Sequence, residues 1–140
     1  MELKVVKLKE SAMLPTKNHP SDTGIDLYAA EDVVFQPNER HLVGTGVALV
    51  FPEGFGGEIR GRSGLSAKTG MTVIHGTIDQ EYRGEIKVIL HNFGETYEVK
   101  AGDRIAQLVL EKVYPAQIVE EQQLSVDTKR GVAGFGSSGK

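Results

Sequence analysis

At 140 residues the chain is long enough to bury one real core and too short for two ordinary domains. It has no cysteine, which excludes a disulfide framework and any thiolate zinc site and fits a reducing compartment. A formal net charge of -3 and a pI of about 5.8 argue against a protein that coats DNA or RNA, because nonspecific nucleic-acid binding rests on a basic surface; an anionic ligand must instead be met by local cations.

In chain order, the opening MELKVVKLKE carries frequent charges and no long apolar run. It predicts a strand over LKVVKL and neither a signal peptide nor a membrane anchor. SDTGIDLYAAED follows, with Asp26 set between apolar neighbours. HLVGTGVALVF and GGEIRGR read as strands. After them SGLSAKTG is the one plausible helix, a turn or two long, entered through Arg62 and Ser63 and closed by Gly70 at the C′ position. MTVIHGTI reads as a strand leading into DQEYRGE, which holds Asp79 and Tyr82. In GEIKVILHNF, Ile86, Val88 and Leu90 fall on one face of a strand and Lys87, Ile89 and His91 on the other. TYEVK and RIAQLVLEKVY complete the strands, with Asp103, Arg104 and Gln107 in AGDRIAQL. No window keeps an apolar face at helical spacing for three turns. Short strands with frequent turn signals predict an all-β sandwich, jelly roll or barrel with one short helix, without repeats or linkers.

The end of the chain differs. EQQLSVDTK, residues 121–129, is polar, and the glycine-rich RGVAGFGSSGK beyond it cannot bury enough apolar surface to order itself, so it should be mobile unless something holds it. Gly134-x4-Gly139-Lys140 spells most of a P-loop, and Gly134-x-Gly136-x-x-Gly139 a dinucleotide fingerprint. Both need a strand before the glycines and a helix after them, and with the sequence stopping at Lys140 neither is expected to work as such. The histidines, His19, His41, His75 and His91, are scattered without HExxH or HxxxH spacing, so no histidine metal site is expected.

Taken singly, the polar islands have plain structural readings: a turn or ion-pair carboxylate at Asp26, a serine cap at Ser63, an Asp–Arg hairpin turn at GDRI, a solvated strand edge at YRGE, and a disordered tail. Taken together and in order, TGIDLYAA, GRSGLSAK, HGTIDQEYRGEI, GDRIAQL and RGVAGFGSSG resemble the motifs of the trimeric dUTPase family, dUTP nucleotidohydrolases, over nearly the whole chain. Two positions depart from the family pattern. Ala133 stands at the first of two paired tail glycines, and Gly61 where a proline often precedes Arg-Ser-Gly.

The resemblance implies a distorted jelly-roll or β-barrel subunit spanning residues 1–129, a flexible lid over 130–140, and a homotrimer whose sites are shared between chains. It implies hydrolysis of dUTP to dUMP and pyrophosphate by water attack at the α-phosphorus, in a cytoplasmic enzyme with no membrane or nucleic-acid partner. Such an enzyme limits uracil incorporation into DNA and supplies dUMP for dTMP synthesis. Asp79 is the candidate base, since a carboxylate can orient a water and weakly accept its proton. A triphosphate needs cations and N–H donors where charge accumulates, and Arg62, Arg130, Gly64 and the tail glycines, including Gly136, suit that need. Ser63 and Gln107 are expected on the inner phosphates, and Ser137 and Ser138 with Arg130 on the outer ones. Tyr82 would lie beneath the deoxyribose and exclude a 2′-OH. Backbone groups of Val73, Gly76 and Ile78 would pair with uracil, and Phe135 would stack over it. Mg²⁺ is expected on the triphosphate, with Asp26 in indirect contact through water or simply bracing the site. The alternatives are a dCTP deaminase of the same fold and a non-catalytic nucleotide sensor; Asp79, Tyr82, Arg130 and Phe135 together favour the hydrolase.

Overall fold

The computed structural model describes residues 1–137 and residue 139. The elements are β1 (Lys4–Lys7), β2 (Ile25–Tyr28), β3 (Val33–Phe35), β4 (Arg40–Gly44), β5 (Val47–Val50), β6 (Phe55–Arg60), α1 (Ser63–Thr69), β7 (Met71–Ile74), β8 (Gly76–Ile78), β9 (Lys87–Asn92), β10 (Tyr97–Val99) and β11 (Arg104–Lys112). The fold is all-β with one short helix, as the strand pattern predicts. A four-stranded sheet runs β2-β11-β6-β8 and a three-stranded sheet β4-β9-β7, accompanied by the pairs β1-β5 and β10-β3. Every one of these pairings is antiparallel.

The core draws on both larger sheets and both pairs: Leu27, Phe35, Val43, Leu49, Met71, Val88, Leu90, Val99, Ile105 and Leu108 are buried together. Each such large side chain contributes about 1.5–3 kcal/mol. The alternation expected in β9 is present, with Val88 and Leu90 buried while Lys87 is exposed. Asn92, at the end of β9, is fully buried. Its Nδ2 donates to the Glu95 carbonyl at 2.7 Å, with the Phe35 and Gln36 carbonyls at 3.3 Å, and its Oδ1 accepts the Gly94 N–H at 2.9 Å. This satisfied network fastens β9 to the end of β3.

Four local expectations are corrected. HLVGTGVALVF is two strands, not one: the chain turns through Gly46 at φ 70°, packed so closely on Ala12 that a Cβ would lie 2.7 Å from the Ala12 Cβ. MTVIHGTI likewise divides at His75 into β7 and β8. Ser63 is the first helical residue rather than the cap; Arg62 holds the cap position in extended backbone without a side-chain cap bond. Asp103 does not pair with Arg104. Its carboxylate accepts the Lys100 N–H at 2.9 Å, while Arg104 reaches across to Asp26. Gly70 closes α1 as expected, at φ 80° with its N–H on the Ser66 carbonyl.

Candidate active site

The sequence-predicted site residues fall into three places. The first is a cleft beside β8. β8 pairs with β6 through Gly57↔Ile78, Glu58↔Thr77 and Ile59↔Gly76, which makes it the edge strand of the large sheet, while β7 pairs with β9 in the other. Beyond β8 the chain turns, with the Tyr82 N–H donating to the Asp79 carbonyl at 3.1 Å. Asp79 is exposed, and among the described residues nothing hydrogen-bonds its carboxylate. Tyr82 lies half open to solvent, its ring covering Gly84 so closely that a Cβ at that glycine would overlap the ring. Gly76, Ile78, Asp79 and Tyr82 line one cleft of about 310 Å³, together with Leu42, Ile59, Thr77, Glu85, Ile86 and Lys87. Its walls are largely apolar, with the free carboxylate among its lining groups, an arrangement suited to a flat ring with a reacting group at one end.

On β6, Glu58 accepts hydrogen bonds from His75 and Thr77. The His75 bond is the main cause holding the Glu58 carboxyl below its ordinary range.

The second place is a polar basin around the start of α1. Asp26, on β2, sits between two guanidiniums, 3.4 Å from Arg62 Nε and 3.7 Å from Arg104 Nη1. Gln107 lies opposite Asp26 in the β11–β2 register and opposite Arg60 in the β11–β6 register. Its Nε2 donates to the Gly61 carbonyl at 2.8 Å. Asp26, Arg62, Ser63, Gly64 and Gln107 line this basin with Asn18, Asp22, Thr23 and Gly24. A Cβ at Gly64 would meet nothing within 4 Å, so the space before that backbone is open to a ligand. Gly24 is the opposite case: the Gln107 carboxamide rests where its Cβ would be. Gly24→Ala is therefore expected to displace Gln107 and lower kcat/KM about tenfold or more, since Gln107 would lose both its seat and its bond to Gly61. Steady-state kinetics with a melting curve as control checks this.

For a divalent ion the donor set is thin. Among the described residues no cluster of three or more His, Cys, Asp or Glu side chains could hold one, and Asp26 is already engaged by two arginines. The residues fit an ion carried in on a ligand's phosphates, reached from Asp26 through water, better than a protein-built cage.

The third place is the tail. After Lys112 the described chain forms no further helix or strand. Arg130 Nε donates to the Ala133 carbonyl at 2.8 Å and the Ser137 N–H to the Gly134 carbonyl at 3.0 Å, so the tail is turned on itself. Phe135 is fully exposed at φ 51°, and Gly136 follows at φ 82°. Arg130, Phe135, Gly136 and Ser137 line neither cleft nor basin; Ser138 lies outside the described residues. Val73, on β7, packs near Gly61, where a Cβ would stand 3.7 Å from the valine's own, and it lines neither space. One chain thus gathers a largely apolar cleft and a polar basin with no lining residue in common.

A sequence profile described as dUTPase matches residues 10–139. The chain belongs to the dUTPase family. A deoxyuridine 5'-triphosphate nucleotidohydrolase of Nautilia profundicola is 48% identical over 143 aligned positions, covering 100% of both chains. The solved structure of a dUTPase from Staphylococcus bacteriophage 80alpha with dUPNHPP superposes with a TM-score of 0.94 at 31% identity, covering 99% of each chain. A dUTPase from phage phi11 of S. aureus, whose structure concerns the coordination of a structural Mg(II) ion, superposes at 0.84 with 29% identity over 89% of this chain and 99% of its own.

Within this dUTPase-family chain, sequence reasoning missed Leu42 and Glu85 in the cleft and Gly24 in the basin. Gly24 had a signal, standing directly inside TGIDLYAA. Glu85 had one too, inside HGTIDQEYRGEI, whereas Leu42 had none, because it reaches the cleft from a segment read only as a strand.

Proposed function

We propose that this family member hydrolyses dUTP to dUMP and pyrophosphate, with the active site completed between copies of a homotrimer. The observation that carries the reading is the unengaged Asp79 carboxylate beside Tyr82 in an apolar cleft. Asp79 orients a water and takes its proton as the water oxygen bonds to the α-phosphorus. The bond from that phosphorus to the bridging oxygen then breaks, and pyrophosphate leaves with the electron pair. Tyr82 lies under the sugar and bars a 2′-OH, and backbone groups from Val73 to Ile78 pair with uracil, leaving no room for a C5 methyl.

Arg62, Ser63, the Gly64 N–H and Gln107 meet the inner phosphates, held by the Asp26 pair and the Gly61 carbonyl. Mg²⁺ on the triphosphate supplies further neutralisation of charge, with Asp26 the group that would reach it through water. Residues 1–129 act as the body, a distorted jelly roll, and residues 130–140 as its lid. In the lid Phe135 covers the base, and Arg130, Gly136, Ser137 and Ser138 take the outer phosphates, shutting out bulk water.

The shared site is supported by the separation of cleft and basin within one chain. It is supported too by apolar side chains after β11: Tyr114 is 75% exposed, Ile118 97% and Leu124 84%. Surfaces of this kind call for a covering partner, and another copy of the chain supplies one. The substrate is an intracellular nucleotide, which argues for a cytoplasmic enzyme; among the described residues no helix is long and apolar enough to cross a membrane.

The reading is tested by incubating the pure protein with each deoxynucleoside triphosphate and Mg²⁺ while following pyrophosphate and ammonia. Pyrophosphate from dUTP alone is the expected result. Ammonia from dCTP would favour a deaminase, and binding without turnover a sensor.

A further inference from the structure

Tyr82 does not hold its own position. Its hydroxyl donates to the Glu85 carbonyl at 3.0 Å, so the ring's far end is fixed by the backbone of a residue three positions on. That residue is in turn fastened to the turn between β4 and β5. The Glu85 carboxylate accepts the Gly46 N–H at 3.0 Å and lies against Gly44, where a Cβ would overlap it. Next to it the Ile86 N–H donates to the Val47 carbonyl at 2.9 Å, and the Ile86 carbonyl accepts both the Thr45 N–H at 3.1 Å and the Thr45 hydroxyl at 2.6 Å. Thr45 and Ile86 are buried, so their bonds are the permanent anchor. Glu85 is half-buried and lines the same cleft as Tyr82 and Asp79, and its side chain is a second tie between the turn and the tyrosine, beside the peptide bond that joins the Glu85 carbonyl to Ile86.

We infer that Glu85 is a positioning residue that sets the plane of the Tyr82 ring through the Gly46 N–H, and thereby the discrimination between a deoxyribose and a ribose. The inference rests on the reading of Tyr82 as the platform beneath the sugar. The carboxylate needs no contact with the nucleotide to act in this way. The Ile86 N–H holds one end of the peptide whose carbonyl the tyrosine hydroxyl seeks, and the carboxylate steadies the other, at the Glu85 Cα; a ring free to swing by a fraction of an ångström would no longer meet a 2′-OH at contact distance. Chemistry at the α-phosphorus is served by other groups, so binding and selectivity should respond while the chemical step does not.

The experiment compares three variants in the full-length protein, with dUTP and UTP as substrates. Glu85→Met keeps the length of the side chain and removes the acceptor. It is expected to raise KM for dUTP about tenfold and to lower the preference for dUTP over UTP by a similar factor, the scale of one charge-assisted hydrogen bond, with kcat within about twofold. Glu85→Gln retains an oxygen for the Gly46 N–H and is expected to behave as the unmodified protein. Tyr82→Ala is the control on the reading itself and should lose the preference for dUTP. If Tyr82→Ala loses the preference and Glu85→Met does not, Glu85 positions nothing and the inference is overturned while the role of Tyr82 stands. If Tyr82→Ala keeps the preference, the platform reading fails and takes the inference with it. A Glu85→Gln protein as impaired as Glu85→Met also overturns the inference, because charge rather than the Gly46 bond would then be the agent.

Discussion

Asp79→Asn is expected to lower kcat by about three orders of magnitude, within the range a lost general base costs, while KM moves no more than a few-fold. The substitution keeps the size and shape of the side chain and removes its ability to take a proton. Nothing among the described residues bonds the Asp79 carboxylate, so the fold does not lean on it; the turn it begins is closed by its backbone carbonyl and the Tyr82 N–H at 3.1 Å. The melting temperature should therefore stay where it is. Pyrophosphate release measured at saturating and limiting dUTP separates the two parameters, and turnover that survives unchanged would place the base elsewhere in the cleft.

Ending the chain at Lys129 is expected to reduce kcat/KM about a thousandfold, the lower end of what an absent arginine costs a phosphoryl-transfer site. The stability of the body should be untouched. Among the described residues beyond Lys129, the hydrogen bonds join tail residues to each other or to Thr128: Gly131 N–H to the Thr128 hydroxyl, Arg130 to Ala133, Ser137 N–H to Gly134 and Gly139 N–H to Gly136. Removing it takes away Arg130, Phe135 and the serines without exposing core. A shortened protein with full activity would refute the lid, and one that melts early would show that the tail supports the body.

The fold was legible where the period of two runs long enough to be seen. In β9 six consecutive residues alternate, and the buried face of Val88 and Leu90 can be read directly. β2 and β3 are four and three residues long, two repeats at most, and β2 carries a charge on one of its positions; neither stood out as a strand. The join at Thr45 and Gly46 was invisible for a different reason. Flanked by Val43 and Val47, the turn looks like the middle of an apolar run; the positive φ of Gly46 and the close approach of Ala12, distant in sequence, which leaves no room for a Cβ there, are visible only in the fold.

The candidate site shows the same divide. Residue types that carry chemistry by themselves, such as Asp79, Tyr82, Arg62 and Arg130, could be picked out. What a residue touches could not be read, even inside a quoted motif: Gln107 lies on Gly24, and Gly46 faces Glu85 across the fold. Such pairings exist only once the strands are in register.

If the sites are completed between copies, as proposed, the division of each chain into a cleft and a basin without common lining bears on how damage spreads in the assembly. A subunit with a ruined basin would still lend an intact cleft to its neighbour, and a subunit with a ruined cleft would still lend an intact basin. Lesions in opposite halves then compensate one another in a mixed population, whereas two lesions in the same half never do. Inactivation would thus be a property of the combination of chains rather than of any one polypeptide.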